Sequence, residues 1–251
     1  MLRRTLLATA FLLTTHAAQA QTRLRVGVEG NYPPFSQMGA DGKLTGFDVD
    51  IAEAVCAQLK RECQLVQQEF DGMIPALNAR KFDMIVASLT ITEERKKAVD
   101  FSDSYYDVPS RWIARAGTIT DPSPGSLKGK TIAVLRNSPR AKYVLDTYKG
   151  SEILQVAKET EVYMELVAGR AAIGFGSSVV SSEAFLKKPE GTGFAPVGEP
   201  VKLQTSGVGI AMRQGDTALR DAVNGALRQI RGDGTYNTLQ KKYFDFDISG
   251  Q

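Results

Sequence analysis

With 251 residues, 43% of them hydrophobic and 24% charged, the chain can bury a substantial core and is long enough for one large or two modest domains. Its 31 basic and 28 acidic side chains leave little surplus charge, which excludes a nucleic-acid surface as the organising feature. The one histidine, His16, falls in a segment read below as cut away, so Ser-His-Asp and Cys-His catalysis are excluded and ordinary zinc sites lack ligands.

Residues 1–20 read as a signal peptide. Arg3 and Arg4 give a basic start, residues 6–13 are mostly apolar, and Ala18-Gln19-Ala20 suits a signal peptidase. The apolar run is too short to remain as a membrane anchor. Cleavage after Ala20 gives a mature start at Gln21, and removing Arg3 and Arg4 from the 31 basic residues leaves 29 against 28 acidic ones. An exported chain meets an oxidising compartment that would join Cys56 to Cys63; the alternative is two buried free thiols.

From residue 23 onward, strand and helix patterns alternate. A strand over 24–28 is followed by the Gly30-Asn31-Tyr32-Pro33-Pro34 turn. Ile51, Ala54, Val55 and Leu59 make the apolar stripe of a helix over 47–59. A strand over 64–69, a helix over 73–78, a strand over 84–87 and a short helix over 93–99 come next. After the stretch 101–106, a second series runs as strands over 110–114 and 131–135, a helix over 141–148, and a strand over 153–156. It continues as a helix over 162–168, a strand over 172–175 and a helix over 179–187. A strand over 207–212 and helices over 217–230 and 236–243 close the chain, with Gly232-Asp233-Gly234 as the stop between the helices. This alternation predicts α/β architecture with mostly parallel sheets, and the two similar halves predict two lobes around a cleft.

One stretch carries chemistry. Residues 84–87 form a short apolar run that ends at Ser88 and Thr90, two hydroxyls spaced to face the same way on extended chain. Thr90 to Glu93 has capping-box spacing, which predicts a helix start whose free N–H groups suit an anion. Arg95 follows in the first turn, where a guanidinium can grip a carboxylate through two parallel hydrogen bonds.

The ordered set Gly46-Phe47-Asp48-Val49-Asp50, Phe70-Asp71-Gly72-Met73-Ile74-Pro75, residues 88–95, Phe101-Ser102 and Asp233-Gly234-Thr235-Tyr236 resembles the periplasmic solute-binding proteins of polar amino-acid ABC importers. Lys241-Lys242-Tyr243-Phe244 extends that resemblance to the end of the chain. Within the family the chain is most similar to lysine/arginine/ornithine, histidine and opine binders. The resemblance implies lobe 1 at 22–107 and 207–251, lobe 2 at 111–201, and a hinge of two crossover strands at 108–110 and 202–206. It implies a monomer without cofactor that hands a small amino-acid-like ligand to the membrane subunits of an ABC permease. It also places Cys56 and Cys63 where the basic amino-acid binders have a disulfide.

Carried over position by position, Arg95 would hold the ligand's α-carboxylate with help from amides near Thr90 and Pro139. Ser88 and Thr90 would accept from an amino group, Ala87 would be a further ligand-binding residue, and Tyr32 and Phe70 would sandwich the side chain. Glu29 and Asp48 would stand near its distal end, and Leu135, Ser138, Arg140 and Ser177 would close from lobe 2. Two departures stand out. Ser177 occupies the position of the family's lobe-2 aspartate, and Arg140 replaces a neutral glutamine, free to pair with Glu29, with Asp48 or with a second ligand carboxylate. Both favour a modified ligand, an opine-like conjugate or a guanidino acid. Two other functions are compatible with this scaffold. One is a cyclohexadienyl dehydratase-like enzyme, for which Gly176, Ser177 and Ser178 offer no acid; the other is a sensor docking on a receptor kinase.

Overall fold

The computed structural model describes residues 23–249; the leader, its cleavage site and Gln21 lie outside them. β1 (Arg23–Val28) opens the first sheet, and β2 (Asn31–Tyr32), β3 (Ser36–Met38) and β4 (Leu44–Thr45) form a small antiparallel sheet of their own. Then come α1 (Phe47–Gln58), β5 (Glu62–Gln67), α2 (Met73–Asn78), β6 (Met84–Ile85), the single turn α3 (Glu93–Lys96) and β7 (Val99–Tyr106). β8 (Ser110–Arg115) starts the second sheet. It is followed by β9 (Thr131–Leu135), α4 (Pro139–Thr147), β10 (Glu152–Val156), α5 (Glu159–Val167), β11 (Ile173–Ser177), α6 (Ser178–Ser181) and β12 (Phe194–Val201). The chain returns through β13 (Val208–Arg213) and ends in α7 (Thr217–Gly232) and α8 (Thr235–Tyr243).

The two main sheets repeat one plan. Their orders are β5-β1-β6-β13-β7 and β10-β9-β11-β8-β12. In each, the first three strands are parallel and the last two joins are antiparallel. The expectation of mostly parallel sheets is therefore corrected. The strand that runs opposite to its neighbours is β13 in the first sheet and β8 in the second; each enters its sheet directly from the other half of the chain, so neither arrives through a helical crossover. β12 and the small sheet were not anticipated, because Pro196, Gly198 and Pro34 read as loop in sequence.

Between the sheets the chain passes through 107–109 and 202–207, and Lys202 Nζ lies 3.6 Å from Asp107 Oδ2 across them. Pro109 has no N–H for a ladder. Phe35, Phe47, Tyr105, Tyr106, Tyr236 and Phe244 pack as one buried aromatic cluster behind the first sheet. Trp112 stacks on Phe175 at 4.2 Å in the core of the second half. The Cys56–Cys63 disulfide forms and ties α1 to β5. The stop between α7 and α8 lies where the glycines predict it, with Gly234 at φ +83°.

Candidate functional site

The predicted strand over 84–87 stops at Ile85, because Ser88 turns the chain with φ +52°. Ser88 and Thr90 therefore do not share an extended segment. Ser88 instead ties the site to the core: it accepts from the Tyr106 hydroxyl at 2.6 Å and donates to Asp48 Oδ2 at 2.8 Å. Asp48 also accepts from Tyr105 at 2.7 Å, so both its oxygens are used, and burial, countered by these hydroxyls, pushes its carboxyl up to about 6. Asp48 holds Ser88 in place and does not face the cavity.

The capping-box expectation is also corrected. Thr90 bridges to Val208 and Ile91 N donates to Gly207 O, so the chain stays extended for two more residues. Thr92 becomes the cap, its hydroxyl accepting from Arg95 N at 3.2 Å, and α3 is a single turn with no helix end to offer an anion. What an anion meets is the Arg95 side chain. Nη1 donates to Thr90 O at 2.8 Å and Nη2 to Asn137 O, from the other half, at 2.9 Å. The guanidinium stands 5.5 Å from the Phe70 ring centre. Burial, with a further push from the Arg140 cation, pulls its pKa down to about 10. No carboxylate among the described residues lies within ion-pair distance of it.

A cavity between the halves is lined by Tyr32, Ser88, Thr90 and Tyr106 on one side, Ser110, Pro139 and Arg140 on the other, and Leu203 and Thr205 of the connecting segment. Of the expected site residues, Tyr32, Ser88, Thr90 and Arg140 line it directly. Ala87 packs instead in the core with Phe82, Ile85 and Leu89, and Leu135 is buried at the end of β9. Ser138 is spent on its helix: Oγ accepts from Ala141 N at 3.1 Å and donates to Leu135 O at 2.5 Å. Pro139 fills the first position of α4, where a missing N–H costs nothing. Glu29 is buried with Oε1 unpartnered, and burial, then Glu159, Glu69 and Asp48, push its carboxyl up to about 8, against a smaller opposing pull from Lys158.

Arg140 pairs with neither Glu29 nor Asp48. Its Nε donates to Ser110 Oγ at 3.0 Å, and Nη1 lies 3.8 Å from Oε2 of Glu159, the first residue of α5. Glu159 went unnoticed in the sequence because the apolar stripe of α5 starts only at Val162. Ser177 lies beside it, donating its backbone N–H to Glu159 Oε1. Further contacts cross the cleft: Arg136 Nε pairs with Asp71, Asn137 Nδ2 donates to Asp71 Oδ1 at 3.0 Å, and Lys158 Nζ lies 3.6 Å from Glu69. The arrangement can hold a small polar solute against Arg140 on one wall, with the Arg95 guanidinium beside Thr90 of the other. Among the described residues no group of His, Cys, Asp and Glu could hold a metal ion.

Residues 24–246 match the bacterial extracellular solute-binding proteins, family 3. The chain is 43% identical over 236 residues to the L-arginine-binding protein of Pseudomonas aeruginosa, covering 92% of this chain and 91% of that one. It is 39% identical over 242 residues to the lysine/arginine/ornithine-binding periplasmic protein of Escherichia coli, covering 94% and 93%. Among solved structures it is similar to an ancestral arginine-binding protein bound to glutamine, at 35% identity and TM-score 0.83, covering 90% and 99%.

Proposed function

The chain belongs to family 3 of the bacterial extracellular solute-binding proteins, and on that footing we propose that it captures an amino acid or amino-acid derivative in the periplasm and delivers it to the membrane subunits of an ABC importer. Its work is binding, with no covalent step. The observation that carries this reading is Arg95: a cation beside the cavity wall, lowered by burial and held only by two backbone carbonyls. A half-buried cation without an acid is left short of a counter-charge until an anion arrives, and the carboxylate every amino acid carries supplies it. The names of the relatives, arginine and lysine/arginine/ornithine binders, favour the same chemistry.

In this reading the lobes are 22–107 with 207–251 and 111–201, hinged at 108–110 and 202–206. Ligand docks first on Arg95, Tyr32, Ser88 and Thr90, with Phe70 against its stem. Arg140 and Ser177 then approach from the second lobe, and Asp71 meets Arg136 and Asn137 across the rim. Closure expels water and strengthens each charged contact. Calorimetry of the mature protein against free amino acids and their derivatives tests this. Submicromolar binding of at least one such compound, lost in Arg95→Ala, is expected; binding unchanged in that variant overturns the pocket.

A further inference from the structure

Glu159 is completely buried, yet its carboxylate is half used. Oε1 accepts from Ser177 N and, at 3.3 Å, from the Tyr163 hydroxyl, whereas Oε2 has no hydrogen-bond partner. Ser177 Oγ beside it is likewise buried and unpartnered. The neighbouring residue makes room for this acid. A Cβ on Gly176 would lie 2.6 Å from Glu159 Oε1 and 2.5 Å from Tyr163 Oη. Capping the start of α5 does not explain it, because the capping carboxylate there is Glu161, which accepts from the N–H groups of Ala157 and Lys158. What Glu159 Oε2 does face is Arg140, at 3.8 Å.

Arg140 lines the cavity and Glu159 stands behind it, away from the cavity wall. A guanidinium alone on the second wall would be repelled by Arg95 and would swing toward solvent; a buried counter-ion at its back keeps it facing inward. An ammonium brought to this wall would meet the Arg140 cation first, while an acidic group would complete it.

We propose that Glu159 is a positioning residue that holds Arg140 on the cavity wall, so that the cleft selects amino-acid derivatives carrying a second acidic group. The inference rests on the reading above that Arg95 receives the α-carboxylate. It also answers the departure at position 177: the acid of this wall is supplied by the start of α5, and it serves the protein's own cation.

The test is a pair of ligands differing only in the extra acid, L-arginine and its N-carboxyethyl derivative, titrated by calorimetry. Wild type is expected to bind the derivative at least ~30-fold more tightly, the scale of a charge pair made away from water. Arg140→Gln and Glu159→Gln should each bring that ratio close to unity by weakening the derivative. Glu159→Gln combined with Ser177→Asp should restore most of it, a rescue that a merely structural glutamate would not show. Wild type preferring L-arginine, or a ratio unmoved in Arg140→Gln, overturns the proposal even if Glu159→Gln fails to fold. Arg95→Ala separates the two levels: loss of both ligands there with the ratio unmoved elsewhere sinks only this inference. Wild type binding neither ligand also sinks only this inference, whereas retention of both in Arg95→Ala sinks the shared reading as well.

Discussion

On the wall built by the first sheet, Asp48 accepts hydrogen bonds from both Ser88 and Tyr105, and Tyr106 secures Ser88 in turn. On the wall built by the second, Glu159 Oε2 makes no hydrogen bond, and Arg140 is held by the Ser110 hydroxyl and by the ion pair with that oxygen. Both walls bury charge, but the first surrounds it with phenols from the aromatic core, and the second leaves Arg140 on the cavity with one hydroxyl and a buried acid behind it. A docking surface needs the first arrangement, since it must be ready before the ligand comes. A closing surface can use the second, since its contacts form last.

The sharpest way to break this comparison is Arg95→Ala. Leaving a ligand carboxylate enclosed without its partner should cost about 3–5 kcal/mol of binding free energy, read by calorimetry. A change as large from Thr90→Ala with Arg95→Ala neutral would move the docking function elsewhere on the same wall.

The titration of Glu29 comes next in size. Its carboxyl, ordinarily near 4.5, is raised to about 8 by burial and by Glu159, Glu69 and Asp48. A carboxyl raised on folding binds its proton more tightly in the native state, so its contribution is fully present below 4.5 and is lost as pH rises through 8. Asp48, raised to about 6, adds a smaller loss at lower pH. The stability of the ligand-free protein should therefore fall by on the order of a few kcal/mol between about pH 5 and 8, read as a falling melting temperature. Glu29→Gln should flatten that profile; an equally steep profile in the variant would assign the slope to other groups.

Much of this was legible in sequence, and the losses have physical causes. The helices α1, α2 and α7 and strand β9 follow from apolar periodicity and glycine stops, because local pattern decides them. Arg95 was recognisable from its place after Ser88 and Thr90. The helix start at Thr92, however, depended on Thr90 pairing with Val208, more than a hundred residues away, which no local signal records. Glu159 was hidden for the same reason. Its importance comes from a glycine at 176 and an arginine at 140, brought to it by β11 and α4.

Gly176→Ala sharpens the comparison at moderate size. The added methyl group meets Glu159 Oε1 and Tyr163 Oη well inside contact distance, so the buried acid must shift. Overpacking of this kind typically costs about 1–3 kcal/mol, to be read as a lower denaturation midpoint at unchanged slope. A matching alanine on the opposite wall, Ser88→Ala, removes the hydroxyl between Asp48 and Tyr106 and should cost about 1–3 kcal/mol by leaving one oxygen of Asp48 short of a donor. If Gly176→Ala were neutral while Ser88→Ala was not, the second wall would be looser than the geometry indicates.

The smallest effect belongs to the rim, where Asp71 meets Arg136 and Asn137 across the cleft. Arg136 is about half exposed there, at 48% of its side chain, so water competes for the pair. Exposed pairs contribute about 0.2–1 kcal/mol, which limits Asp71→Ala to roughly a fivefold loss of ligand affinity. Because the contact forms only when the walls meet, that loss should appear in the ligand off-rate and leave the on-rate alone, as stopped-flow fluorescence can resolve. Salt supplies the control: raising ionic strength should speed release in wild type and change little in Asp71→Ala. If release from wild type were insensitive to salt, closure would be held by the ligand's own contacts with Arg95 and Arg140, and the rim pairs would be consequences of closure and not contributors to it.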